Sequence, residues 1–174
     1  MPLIKNGRVT EDRYVRILDD APIPEGVPVI VPAARFLADA DDILRREAPT
    51  GVAWPNSQNV AALAPYLDRL SLVVLAFPNF KDGRGYSQAR VLRERYAFGG
   101  ELRATGQVLR DQFLLLVRAG FDALEVAKPG DAEAFATALA RYTVFYQDSG
   151  DHRPAARHRR LVRIATAAPR EMVR

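Results

Sequence analysis

The 174-residue chain predicts an α/β protein: about six mostly parallel strands alternating with five helices, with a short hairpin ahead of them. Three observations carry this. Short β-branched apolar runs recur through the chain, as strands buried on both faces require. Segments with apolar residues at helical spacing separate them. The strand–helix alternation then implies parallel pairing through right-handed crossovers. Connection order is not legible in one sequence, so the sheet is either an open doubly wound sheet or a partial, TIM-like barrel.

The elements follow in order. LIKNGRV places Asn6-Gly7 between apolar runs. Both residues suit a two-residue turn that needs positive φ, so a small hairpin is expected. DDAPIPEG (19–26) is a turn-rich connector. VPVIV (27–31) is a strand, and Phe36, Leu37, Ala40, Ile43 and Leu44 follow at helical spacing. GVAW (51–54) is a second strand. Ser57 is placed to cap a helix carrying Val60, Leu63, Ala64 and Leu67. LVVLAF (72–77) is the clearest strand, and Ser87–Tyr96 is helical. ELRA (101–104) is a strand, Val108–Ala119 a helix, and Gly120 sits where a C-terminal cap glycine belongs. FDALEV (121–126) is a strand, Asp131 caps a helix running to Tyr142, and TVFY (143–146) closes the series. Residues 1–150 form one α/β domain, and 151–174 an Arg-rich extension.

Composition narrows the chemistry. There is no cysteine, which removes disulfides, thiolate nucleophiles and thiolate-held metals. The two histidines, His152 and His158, both fall in the extension. Residues 1–150 must therefore work with Asp, Glu, Lys, Arg, Tyr, Ser or Thr, or with a bound cofactor of unknown type. No metal site is expected. The net charge of +4 is also local. Seven arginines against Asp151 and Glu171 give the extension +5, leaving −1 for residues 1–150. A nucleic-acid-binding body would need a basic face, so no nucleic-acid partner is expected. The longest apolar run, Leu72–Pro78, is too short to span a membrane. The first residues lack the apolar stretch of a secretory signal. The expectation is a cytoplasmic protein with no membrane partner, for which a homo-oligomer is allowed.

Ligands of parallel α/β proteins collect at the carboxyl ends of strands, where helix N-termini point. FPNFKDGRGYSQARVLRERY (77–96) has that placement, with Lys81, Asp82, Gly83, Arg84 and Gly85 between strand and helix. Gly83-x-Gly85 matches two glycines of the dinucleotide fingerprint, but Gln88 stands in the third position. No Gly-Lys-Ser/Thr occurs. GELRATGQVLRDQ (100–112) repeats the arrangement through Thr105-Gly106. If the two units are neighbours, Lys81, Arg84, Arg103 and Arg110 can converge on one anion- or cofactor-binding pocket, with Gly83, Gly85, Ser87 and Gly106 in the loops. Asp82, Tyr86 and Asp111 would orient or handle protons, and Asp82 and Tyr86 are the catalytic candidates. The competing reading is a structural brace, with Asp82 and Arg84 pairing with Arg110 and Asp111. Arg90, Arg93, Glu94 and Arg95 read as a solvated helix face with an Arg90–Glu94 pair. Trp54 reads as a core or rim residue, or as a stacking platform.

These stretches, with RAGFDALEV (118–126), resemble a bacterial family of unknown function whose motifs run F-x-D-G-R-G-Y-S-x-A-R-L-L-R-E-R-Y and G-E-L-R-A-x-G-x-V-L-R-D-Q. The likeness spans about residues 1–150 and is sharpest over 73–126. Asp82, Gly83, Arg84, Gly85, Tyr86, Ser87, Arg90, Arg93, Arg103, Gly106, Arg110, Asp111 and Gln112 fall on motif positions. The family is labelled an oxidoreductase of sulfite reduction, from genes beside that of the sulfite reductase haemoprotein. The resemblance implies sulfur assimilation with a small oxyanion or anionic cofactor at the loops. Alternatively, it implies a non-enzymatic partner of sulfite reductase or its electron donor.

Overall fold

The structure, a computed structural model, describes residues 1–141, 145, 146, 149 and 156. Thr143 and Val144 of the expected last strand lie outside these residues. So does the 151–174 extension apart from Ala156, including His152 and His158.

Among the described residues, eight strands form one sheet: β1 (Leu3–Lys5), β2 (Arg8–Thr10), β3 (Val15–Arg16), β4 (Val29–Pro32), β5 (Thr50–Trp54), β6 (Leu72–Phe77), β7 (Glu101–Gly106) and β8 (Ala123–Glu125). Its order is β2-β1-β8-β7-β6-β5-β4-β3. β1 and β2 are the expected hairpin, antiparallel with Asn6 and Gly7 at φ 52° and 74°. β3 to β8 are parallel and each lies beside its predecessor in the chain. A doubly wound sheet reverses its order at a switch point. This one never does, so the partial barrel is the architecture. The two-residue β3 is too short to announce itself by periodicity.

The edges show how far the sheet curls. A flat sheet would put β2 and β3 about 34 Å apart, seven strand spacings. Yet only residues 11–14 join them, and five extended steps from Thr10 to Val15 reach about 17 Å. Likewise, Arg16 on β3 pairs with Glu125 on β8, five strands away in sheet order. Flat geometry would separate them by about 24 Å.

Strand parity then splits the side chains. One face carries Val29, Val31, Val52, Val73, Leu75, Phe77, Leu102, Ala104 and Leu124 into the main core. The helices cover this face. They are α1 (Ala33–Ile43), α2 (Arg84–Arg90, continued by a π turn over Val91–Arg95), α3 (Phe113–Arg118, preceded by a 3-10 turn over Arg110–Gln112) and α4 (Asp131–Ala140). Between β5 and β6 the expected α-helix is instead a 3-10 helix, Val60–Tyr66, containing Pro65. Its cap is Asn59, not Ser57: the Asn59 side chain accepts from the Ala61 N–H. α2 begins at Arg84, three residues before the expected Ser87. Gly130 rather than Asp131 caps α4, and Asp131 is its first residue. Gly120 follows α3 at φ 104°, as a left-handed helix stop requires.

The opposite face lines the barrel interior. Ile30, Leu72 and Val74 make a small apolar cluster with Tyr14 and Ala53. Towards β7, β8 and β1 the interior turns ionic. Arg103 is 1% exposed and pairs with Asp12 at 2.6 Å, Glu101 at 3.0 Å and Glu125 at 3.3 Å. Thr105 donates to Glu125 at 2.6 Å and Lys5 pairs with Glu101 at 2.8 Å. Tyr14 lies 5.7 Å beneath the Arg103 guanidinium and donates to Ser71 at 3.1 Å. Residues 11–14 thus cross the open seam and are tied down by Arg103. Burial alone would lower the Arg103 pKa, but Asp12 and Glu101 outweigh it and leave it raised.

Removing Arg103 strands buried carboxylates, which costs about 3–5 kcal/mol. Urea unfolding of Arg103→Ala is expected to show that loss. A variant within 1 kcal/mol of wild type would show that the barrel closes without this network.

Candidate functional site

β6 and β7 are adjacent and in register, with Phe77 opposite Gly106, so the two motif loops emerge side by side. Hydrogen bonds join them. The Phe80 N–H donates to the Gln107 side chain at 3.2 Å, and the Gln112 amide donates to the Phe80 carbonyl at 2.9 Å.

The charged residues divide three ways. Asp82 and Arg84 form a fork within their own loop: Nε donates at 2.9 Å and Nη2 at 2.6 Å. The Arg84 hydrogen bond holds the Asp82 carboxyl well below the usual carboxylate range. Arg110 turns to Asp131 at the start of α4. Arg103 points into the barrel, away from both loops. The expected cross-pairing of Asp82 and Arg84 with Arg110 and Asp111 is therefore not the pairing found. Lys81 is exposed and lies 5.6 Å over the Phe80 ring. Ser87 lies with Arg90 and Glu94 on the exposed side of α2. Arg90 and Glu94 pair at 3.1 Å as expected. Arg93 does not join that solvated face: 12% exposed, it donates to the carbonyls of Phe98, Gly100 and Gly120 and pairs with Asp122.

Tyr86 stands edge-on to Phe77, ring centroids 5.2 Å apart. Burial, with the nearby Asp111 charge, raises its pKa, so its phenol keeps its proton at neutral pH. Asp82 stays ionised and Tyr86 stays neutral, and neither titrates near pH 7. In this arrangement Asp82 is a fixed anion beside Arg84, and Tyr86 is a hydrogen-bond donor.

Two motif glycines meet protein. A Cβ on Gly85 would lie 2.6 Å from the Phe77 ring, and one on Gly106, at φ 96°, would lie 2.4 Å from the Phe77 carbonyl oxygen. That carbonyl accepts from the Gln107 N–H at 2.8 Å. Gly83, the residue capping α2, has open space around it.

The loop after β5 completes this end. Trp54 is buried, and its indole N–H donates to the Gln58 carbonyl at 3.2 Å; it is a core residue. The Gln88 amide donates to the same carbonyl at 2.7 Å. Asn56, Gln88 and Gln107 escaped sequence reasoning because an uncharged amide near a strand end looks like ordinary loop composition. Beside this loop lies a cavity of about 360 Å³ lined by Pro32, Ala33, Ala53, Val74, Ala76 and Thr105, with Ala34, Trp54, Pro55 and Gln58. Asp82, Arg84 and Arg110 are not among its lining residues.

Against known families, residues 51–156 match a bacterial protein family of unknown function, DUF934. The chain belongs to the DUF934 family. The match takes in β5 to β8, both motif loops and α4. It leaves β1 to β4 and α1 outside. A search of the curated proteins finds no match. No helix among the described residues is long and apolar enough to cross a membrane, and no group of three or more His, Cys, Asp or Glu there could hold a metal ion.

Two outcomes follow. In wild type the Asp82 carboxyl carbon should show no NMR titration between pH 7 and 3. In Arg84→Ala it should titrate near the ordinary value of about 4. The sign is that of a depressed carboxylate: its stabilisation is complete above about pH 5 and fades as pH falls below about 4. Gly85→Ala should destabilise by about 1–3 kcal/mol through overpacking against Phe77, although alanine is the better helix former. A stability equal to or above wild type would remove that packing role.

Proposed function

We propose that this protein is a cytoplasmic accessory component of assimilatory sulfite reduction, docking on sulfite reductase or its electron donor through the β6 and β7 loops. The assignment to sulfite reduction rests on the motif resemblance carried by residues 73–126. The observation that carries the docking role is the character of the loop surface. Phe80 and Leu109 are 43% and 41% exposed and project from loops that hydrogen bonds hold together. Lys81 lies over the Phe80 ring, Arg84 follows in the same segment and Arg110 adjoins Leu109, and the two guanidinium side chains remain more than half exposed beside their carboxylates. An aromatic anchor with a cationic rim is the composition of a protein-binding hot spot.

The acid–base state of the loops supports the same reading. Asp82 is committed to Arg84, and Tyr86 holds its proton. An oxidoreductase that binds an anionic cofactor at Lys81, Arg84 and Arg110 is the second reading. The exposed guanidinium groups favour it, since each keeps donors free for an oxyanion.

In a binding assay with purified sulfite reductase haemoprotein and its electron donor, wild type should form a complex that weakens with added salt. The Phe80→Ser, Leu109→Ser double variant should bind at least about tenfold more weakly with unchanged unfolding. No complex with either protein would defeat the docking role. A melting-temperature rise with sulfite that is lost in Arg84→Ala would favour the second reading.

A further inference from the structure

Along β4 to β7, the interior residues nearest the carboxyl ends are Pro32, Ala53, Val74, Ala76 and Thr105, as the strand register aligns them. Barrel interiors are usually filled here by bulky branched side chains. Alanines at 53 and 76 leave the space unfilled, and the 360 Å³ cavity is the result. Its size falls at the lower end of small-molecule sites, about 300–1,000 Å³. α1 walls one side with Ala33 and Ala34, and the β5 loop walls another with Trp54, Pro55 and Gln58.

We propose that this cavity binds a small neutral molecule with an apolar body and one hydroxyl or amide N–H group. The apolar body follows from the lining: eight of the ten residues are apolar. Neutrality follows from the same list, which contains no charged side chain. The interior charges cannot serve, since Arg103 and Glu125 are already paired with each other, with Asp12 and with Arg16. The donor on the ligand follows from Thr105. Its hydroxyl proton is committed to Glu125 at 2.6 Å, so it offers lone pairs only. Gln58 is the other polar residue of the lining. No residue of the proposed docking surface lines the cavity, so the two proposals stand or fall separately.

The chain has one tryptophan, Trp54, and it lines the cavity. Titration of the full chain with benzyl alcohol should give a saturable change in Trp54 emission. Amide NMR shifts should concentrate at Ala33, Ala53 and Ala76. Benzoate, the same ring bearing a carboxylate, should bind at least tenfold more weakly. Ala76→Leu should abolish binding by filling the space, and Ala53→Val, a milder filling, should weaken it even if Ala76→Leu folds poorly. No saturable change, benzoate binding as well as benzyl alcohol, or binding undiminished in the filled variants would each overturn the proposal.

Discussion

One buried cation organises this molecule. Arg103 sits inside the partial barrel with three carboxylates drawn from three places: Glu101 on its own strand, Glu125 on the next, and Asp12 on the segment that bridges the open edges. A flat sheet could pair Arg103 with Glu101 and Glu125 but could not bring Asp12 to it. A guanidinium held away from water needs such partners, and its planar fork can serve several at once. The contacts are therefore coupled to the curl: opening it would take Asp12 from Arg103 and Arg16 from Glu125.

The curl in turn assigns every face. Alternate residues of each strand enter either the apolar layer beneath the helices or the barrel interior. Because β3 to β8 run sequentially, all their crossovers return on the same side. All loops after strands open at one end, and there β6 and β7 deliver the two motif loops as neighbours. Phe77 fastens that end. Its ring fills the place a side chain on Gly85 would take, and its carbonyl crowds Gly106. Gly85 and Gly106 thus let the two loops pack closely on β6.

The sequence marked the two motif loops, which β6 and β7 bring side by side, and could not specify what their charges touch. Arg84, Arg103 and Arg110 look equivalent as letters, each near the end of a strand or the start of a helix. Their fates differ because parity turns Arg103 inward, a two-residue spacing lets Arg84 reach Asp82, and Arg110 meets Asp131 from a helix twenty residues on. Arg93 was misplaced for a similar reason. The helical surface pattern marks it as solvated, but the π turn and the neighbouring carbonyls enclose it. The cavity was least legible of all, because alanine at 53 and 76 signals nothing until opposing walls are known.

The sequence by itself determined the local elements. The Asn6-Gly7 turn, the β-branched runs of β4 and β6, and the Gly120 stop follow from backbone preferences that act over a few residues. It also determined that the chain up to residue 150 works without cysteine or histidine. Tertiary structure alone decided the strand order, the barrel over the doubly wound sheet, and the partner of each charge. Those depend on contacts between residues far apart in the chain, such as Asp12 with Arg103 and Arg16 with Glu125. Periodicity reports which face a side chain occupies, and only closure of the sheet reports what waits on the other side.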